Sequence, residues 1–438
     1  MVRTTTKRRG RRLSFEARAI LIGLVIVVWG WMLGFFAVYF GYFHTIIMMP
    51  EAGGVRLPII SSPFHPHTEK LVSSGSPLLI FTCHRANYLN RTLENVYASI
   101  SRPHDDENTS SEEEVGNEKC RFGCPIIVSE DGEHKDIRTI VLSYKKKFEA
   151  IGIPLLHMHH PKKKQVLRST SASYVALARH YGWALSQVFG GKAGDSSFSL
   201  PHRVVILEED IQVAPDFFSY MESTSSILDN DSTLYAVSAF NDNGHVDHGD
   251  PKRLLRSDFF PGLGWMMTRD LWINELQSRW APDGYWDDWL RDPTQRKGRQ
   301  VIRPEISRTY HFGTEGGVSG NQFGSILEHV KLDEKPIQWE MEDLSYLENA
   351  LYKTQYTEVV TSSKLVNTLD EAEQMSKTGN VRIEYDNYIH FRELASRIGI
   401  MDDEKAHVPR TAYNGIVETR RGNNILFLTP KGGFVGYK

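Results

Sequence analysis

The chain has 438 residues, 40% of them hydrophobic and 24% charged, which provides enough apolar surface for a sizeable core and enough length for two domains. Such a composition excludes a disordered or fibrous chain. The net charge is −3 and, apart from one basic cluster at the start, is spread along the sequence, which excludes an extended nucleic-acid-binding surface.

The basic cluster is MVRTTTKRRGRRLSFEAR, residues 1–18, with seven Lys/Arg and one Glu. Ala19 to Phe43 follows without a formal charge; at about 1.5 Å per residue it is long enough to span a hydrocarbon core of roughly 30 Å. These features predict a cytosolic tail over 1–18, a transmembrane signal anchor over 19–43 and a lumenal remainder, because basic flanks stay on the cytosolic side. A cleaved signal peptide would be shorter in its apolar run and would be followed by a small-residue cleavage site. Sequons at Asn90, Asn108 and Asn230 agree with a lumenal location. The three cysteines, Cys83, Cys120 and Cys124, allow at most one internal disulfide, and spacing alone leaves the pairing open.

A connector over 44–76 leads into PLLIFTCHR (77–85), a short apolar run that predicts a buried strand, and ANYLNRTLENVYASI (86–100) predicts a helix. Asp105 to Glu118 is polar and acidic, a surface loop. CPIIVSEDGEH (124–134) gives a second strand, a helical stretch and IPLLHMHH come next, SYVALARHYGWALSQVF repeats apolar residues at helical spacing, and HRVVILEED returns to a strand. Strands alternating with helices predict an α/β fold with an open, mostly parallel, Rossmann-like sheet, in which ligands bind beyond the carboxyl ends of the strands. Three of those ends carry polar side chains: Arg85, Asp131, and Glu208 to Asp210.

The triplet Glu208-Glu209-Asp210 in VVILEEDIQVAPDFF therefore has two readings, an acidic strand-to-turn junction in water or a ligand set for a hard divalent cation, which takes one or two carboxylates plus substrate phosphate oxygens. There is no Walker loop and no GxGxxG after a strand. GYWDDWLRDP (284–293) sets Asp287 and Asp288 between two tryptophans. That suits a sugar, whose C–H face packs on indole, and equally suits a helix start with Asp as cap. The four-glycine loop GTEGGVSGNQ (313–322) is a hinged lid or a surface turn.

VVILEEDIQVAPDFF, AFNDNG, DFFPGLGW, YWDDWLRDP, IRPEISRTYHFG and MDDEKAHVPRTAYNGIV, in this order from about Pro77 to the C-terminus, resemble the N-acetylglucosaminyltransferase I family. The resemblance implies a GT-A glycosyltransferase fold, with a catalytic domain over 77–335 and a smaller C-terminal domain over 336–438 shaping the acceptor side. It also implies Mn2+-dependent, inverting transfer of N-acetylglucosamine from UDP-N-acetylglucosamine to an alpha-1,3-linked mannose of a high-mannose N-glycan, in the Golgi membrane. Two readings compete with that acceptor and activity: transfer to protein O-mannose, and a catalytically silent lectin-like membrane protein.

Carried over residue by residue, the resemblance implies Asp210 as metal ligand, Glu208 on the donor sugar and Glu209, where the family usually has Asp, on the ribose side. It implies Arg85, Asp131, Tyr174 and His180 around uridine, Leu263 and Trp286 shaping the donor-sugar pocket, and Val318 and Ser319 against the nucleotide sugar. Asp287 is the expected general base for the mannose 2-hydroxyl, with Asp288 in a supporting role. Without the family, His180 and Tyr174 read as core residues of one helix. The family's disulfide between the first two strand ends is expected to be absent, because Cys83 matches one partner while Gly132 stands near where the other belongs.

Overall fold

A computed structural model describes residues 76–101, 122–161, 170–193, 200–244, 249–280, 285–313, 330 and 332–437. The expected tail, anchor and connector, the acidic loop Asp105 to Glu118, Asn108, Cys120, and the lid from residue 314 on, including Val318 and Ser319, lie outside the described residues. Every described residue belongs to one compact unit, Thr68–Lys438. Among the described residues no helix is long and apolar enough to cross a membrane.

The apolar runs of the sequence become adjacent strands: β1 (Ser76–Thr82), β2 (Phe122–Asp131), β3 (Leu155–His160) and β4 (Arg203–Glu208), in the order β3-β2-β1-β4 and all parallel. Their side chains alternate between two cores. Leu78, Ile80, Val128, Val205 and Leu207 face one, and Leu79, Phe81, Ile127, Val204 and Ile206 the other, as the two-residue period requires. Strands covered on both faces read as continuous apolar runs, which is why the sequence displays them so openly. Helices Ala86–Ile100, Lys135–Glu149 and Phe217–Asn230 supply the first core; Ile137, Val141, Tyr144 and Phe148 form the buried stripe of the second of these. Helix Thr170–Phe189 supplies the other core through Ala178, Tyr181, Leu185 and Phe189.

Beyond β4 the sheet is mixed rather than parallel throughout. β8 (Trp265–Thr268) inserts antiparallel between β4 and β6 (Leu234–Ser238), β9 (Gln300–Pro304) runs parallel to β6, and β7 (Leu254–Ser257) closes the edge antiparallel to β9. The reversal into β8 turns on Gly262 and Gly264, both at φ +77, and a Cβ on Gly264 would stand 2.5 Å from Thr309 Cγ2. Glycine meets both demands, the left-handed backbone and the close approach.

A short antiparallel pair, β5 (Ile211–Val213) with β10 (Thr309–His311), lies just past the acid triplet and matches His311 to Ile211. A separate four-stranded sheet, β11 (Lys364–Val366), β12 (Val381–Tyr385), β14 (Asn424–Pro430) and β13 (Val417–Arg421) in that order, has a core of its own that also takes in Phe259. The C-terminal segment is tied to the AFNDNG and DFFPGLGW motifs by polar contacts. Arg410 donates to Asp242 at 2.5 Å and to Asp403 at 2.6 Å, and Asp258 accepts from the Asn414 backbone and the Tyr437 hydroxyl, both at 2.6 Å.

Trp339 is fully buried and its indole N–H donates to Asp216 Oδ2 at 2.8 Å, the same oxygen that receives the Ile337 backbone N–H at 3.2 Å. Trp339→Ala is expected to destabilise the fold by about 3–5 kcal/mol, read as a lower denaturation midpoint at unchanged slope.

Candidate active site

The parallel order β2-β1-β4 places three polar strand ends side by side. Across the register, Phe81 pairs with Glu208 and Thr82 with Glu130. The turn after β4 holds Glu209 and Asp210, and Thr92 of helix Ala86–Ile100 fixes its backbone by donating to the Glu209 carbonyl at 2.6 Å and the Ile211 carbonyl at 3.1 Å.

The three acids are held differently. Glu209 turns inward: Oε2 accepts from the Thr82 hydroxyl and, at 3.1 Å, from the Cys83 backbone, while Oε1 accepts from Arg85 Nε at 2.6 Å. The longer side chain thus engages both its oxygens with β1 and the residues just beyond it. Asp210 Oδ2 accepts from Arg85 Nη2 at 2.8 Å and lies 3.5 Å from His311 Nε2. Burial works against its charge, but His311 and Arg85 outweigh burial and hold the carboxyl below the usual range. Burial likewise opposes the His311 cation, and the Asp210 hydrogen bond and charge overcome it, raising His311. Glu208 accepts from the Tyr181 hydroxyl at 2.9 Å, and burial first, then the Asp210 charge, pushes it up to about 7.

Asp210 Oδ1 is buried and, among the described residues, has no hydrogen-bond partner. A carboxylate oxygen in that condition is costly unless a ligand meets it. Gly313 keeps the other oxygen of the carboxylate uncrowded: a Cβ there would stand 2.4 Å from Asp210 Oδ2. A hard cation fits this donor set and this gap. Gly313→Ala is therefore expected to weaken metal-dependent donor binding by about tenfold or more with little change in fold, measured by calorimetric titration with manganese and UDP alongside circular dichroism.

Asp287 and Asp288 lie in the first turn of helix Trp286–Arg291, whose N-cap is Tyr285, so neither aspartate is the cap. Both bind Arg291 Nη1, Asp287 at 2.7 Å and Asp288 at 2.8 Å, while Lys405 reaches Asp288 at 3.3 Å. Arg291 is itself buried and anchored by donating to the Phe260 carbonyl at 2.9 Å. Asp287 is thereby clamped but partly exposed. Burial, then Glu208, raises the Tyr181 hydroxyl well above the usual phenol range, and the charges of Asp287 and Asp210 add to it.

Trp286 is only 4% exposed and stacks on Tyr181 at 4.3 Å between ring centroids, with Trp265 behind it at 6.0 Å. Leu263 is half-buried, and its carbonyl accepts from Thr309 at 2.7 Å. Tyr174 has its ring 3.9 Å from Tyr285, beside the WDDW helix. His180 is buried with its Nε2 2.8 Å from Ser129 Oγ, and it stacks at 5.2 Å on His160, whose Nδ1 is 2.8 Å from Asp131 Oδ1. Asp131 and His180 thus meet through His160.

Cys83 carries a thiol, 3.8 Å from the Asp131 carbonyl, and Cys124 is disulfide-bonded. No disulfide therefore joins the first two strand ends. Tyr181, His311, Arg291 and Gly313 join the site without a sequence signal of their own, although each stands within or next to a quoted motif.

A carboxylate pair at a strand end with one oxygen unpartnered among the described residues, and a separately clamped aspartate, is suited to holding a cation and taking a proton from a hydroxyl. The sequence pattern of the GNT-I family matches residues 65–438. The alpha-1,3-mannosyl-glycoprotein 2-beta-N-acetylglucosaminyltransferase of Arabidopsis thaliana is 37% identical over 360 residues, 80% of this chain and 73% of its own. The chain belongs to the GNT-I family. Among solved structures, a mannosyltransferase from Pyrobaculum calidifontis in complex with GDP-Man and Mn2+ is 12% identical over 69% of this chain and 79% of its own, at a TM-score of 0.32. GalNAc-T7 with UDP, GalNAc and Mn2+ is 12% identical over 55% of this chain and 44% of its own, at 0.33. These two are loose likenesses and carry no weight for the chemistry. Within the GNT-I family, the mixed α/β sheet with an acid triplet at the end of β4 fits a GT-A glycosyltransferase architecture.

Proposed function

We propose that this GNT-I family member transfers N-acetylglucosamine from UDP-N-acetylglucosamine to the 2-hydroxyl of the alpha-1,3-linked mannose of high-mannose N-glycans, with inversion. The observation that carries this reading is that Tyr181 donates to Glu208 of the acid triplet and stacks on Trp286, the residue before Asp287, in a chain 37% identical to an enzyme named for that transfer.

Asp210 would hold manganese through Oδ1, which has no partner among the described residues, while Gly313 leaves Oδ2 uncrowded. Bound manganese supplies Lewis-acid stabilisation of the charge that gathers on departing UDP. Everything else falls to side chains. Asp287, held by Arg291, takes the acceptor 2-hydroxyl proton as the anomeric carbon gains oxocarbenium character. Glu208, linked to Tyr181, accepts hydrogen bonds from the donor sugar. By family membership, Asp131, Tyr174 and His180 are assigned to the uridine side and Leu263 to the donor-sugar pocket. Trp286, packed on Tyr181, sets the position of the helix that carries Asp287. Lys405 on Asp288 supports a role for residues 336–438 on the acceptor side.

The basic tail and the apolar run Ala19 to Phe43 support a single-pass type II protein with a lumenal catalytic domain, and family membership favours the Golgi membrane. Turnover of UDP-N-acetylglucosamine with a five-mannose N-glycan, and with an O-mannosyl peptide in parallel, each with and without manganese, tests the proposal. Manganese-dependent transfer to the N-glycan is expected. Transfer to the peptide alone would move the chain to the O-mannose reading, and no transfer to either would leave the lectin-like one.

A further inference from the structure

The carboxyl ends of β2 and β3 carry a second polar cluster, separate from the acid triplet. Glu130, one position before the end of β2, is wholly buried, and among the described residues its ion-pair partners are all histidines. Its two oxygens are used differently. Oε1 accepts the His134 backbone N–H at 2.5 Å and lies 2.9 Å from His134 Nδ1, so the start of helix Lys135–Glu149 fixes the carboxylate from behind. Oε2 lies 3.0 Å from His157 Nε2 and 3.4 Å from His159 Nδ1.

His157 and His159 stand two residues apart on β3 and therefore share a face, with ring centroids 4.1 Å apart. The three ligand atoms all lie within 4.8 Å of one another. Around a tetrahedral ion with bonds of about 2.0–2.1 Å, neighbouring ligand atoms are separated by about 3.4 Å. The two Glu130 separations here lie close to that value.

We propose that Glu130, His157 and His159 form a second divalent-cation site, distinct from Asp210, that takes zinc or a similar transition ion. Two imidazoles and one carboxylate suit a borderline-soft ion, whereas the oxygen donors of the triplet suit a hard one. His134 acts from outside the ligand set, orienting the carboxylate, as groups behind metal ligands commonly do. His157 and His159 are 15% and 33% exposed, so the fourth position opens to water. Without an ion, His159 Nδ1 has the Gly132 carbonyl at 3.3 Å as its partner. With one, the ends of β2 and β3 are cross-linked directly beside Asp131 and His160.

The test uses the full chain in detergent, free of any histidine tag, stripped with chelator and dialysed against zinc or cobalt. One equivalent of zinc is expected to remain, and cobalt is expected to show the strong visible bands of a four-coordinate ion. His134→Ala should weaken zinc binding by about 10–100-fold, the His157→Ala/His159→Ala double variant should lose the equivalent, and Asp210→Asn should keep it. Zinc content unchanged in the double variant, or lost only in Asp210→Asn, would overturn the site, as would a parent chain that retains no zinc. Should the double variant fail to fold by circular dichroism, Glu130→Gln, which keeps the side chain's size, must lose the cobalt bands. A parent cobalt spectrum without four-coordinate character overturns the site irrespective of any variant.

Discussion

Asp287→Asn is expected to lower turnover by about 10²–10⁴-fold, the usual contribution of a positioned general base, while leaving UDP and manganese binding near that of the parent. The amide is nearly isosteric and can still accept from Arg291, which holds Asp287 at 2.7 Å, so the helix Trp286–Arg291 stays in place and only the proton acceptor is lost. The split between turnover and donor binding is the decisive readout. Steady-state kinetics with varied acceptor, alongside calorimetry with manganese and UDP, measures both. Near-parent turnover would take Asp287 out of the chemistry and reduce it to a partner of Arg291.

Asp210→Asn acts earlier in the cycle. The substitution removes the charge that faces Arg85 at 2.8 Å and His311 at 3.5 Å, along with the carboxylate character of Oδ1, which has no partner among the described residues. Manganese-dependent donor binding should weaken by about 10²-fold or more, on the scale of losing one charged oxygen ligand from a site that has few, and turnover should fall with it. The residual activity should rise with manganese concentration, which separates a lost ligand from a lost base. An Asp210→Asn protein that binds UDP as tightly with manganese as the parent would move the metal site elsewhere.

Much of the first half of the sheet is legible in the amino-acid sequence alone. The runs around Leu78, Ile126 and Val204 are short, apolar and bounded by turn residues, and strands buried on both faces look like that. The acid triplet is visible for the same reason, since charge ending such a run has to emerge at the strand's carboxyl end. The antiparallel β8 is not, because WMMT is too short for a period and its pairing is set by glycines and by partners far along the chain. His311 stays hidden on similar grounds: only the pairing of β10 with β5 brings it to Asp210, and no local pattern records that distance. The aspartates of WDDW look like a helix cap because caps are common at such positions, whereas the fold commits them to Arg291. The cluster around Glu130 is present in the letters as EDGEH and HMHH, but only adjacent parallel strands place them together.

Phe259 joins two parts of the molecule that would otherwise answer separately to change. Its ring packs in the core of the C-terminal sheet, with the Arg291 guanidinium 4.7 Å from its centroid and that of Arg410 at 5.1 Å. Arg291 is also the clamp on Asp287. In genetic terms, a missense change at Phe259 is one lesion with two phenotypes, since it opens the core of the C-terminal sheet and removes the ring against the Arg291 clamp on Asp287.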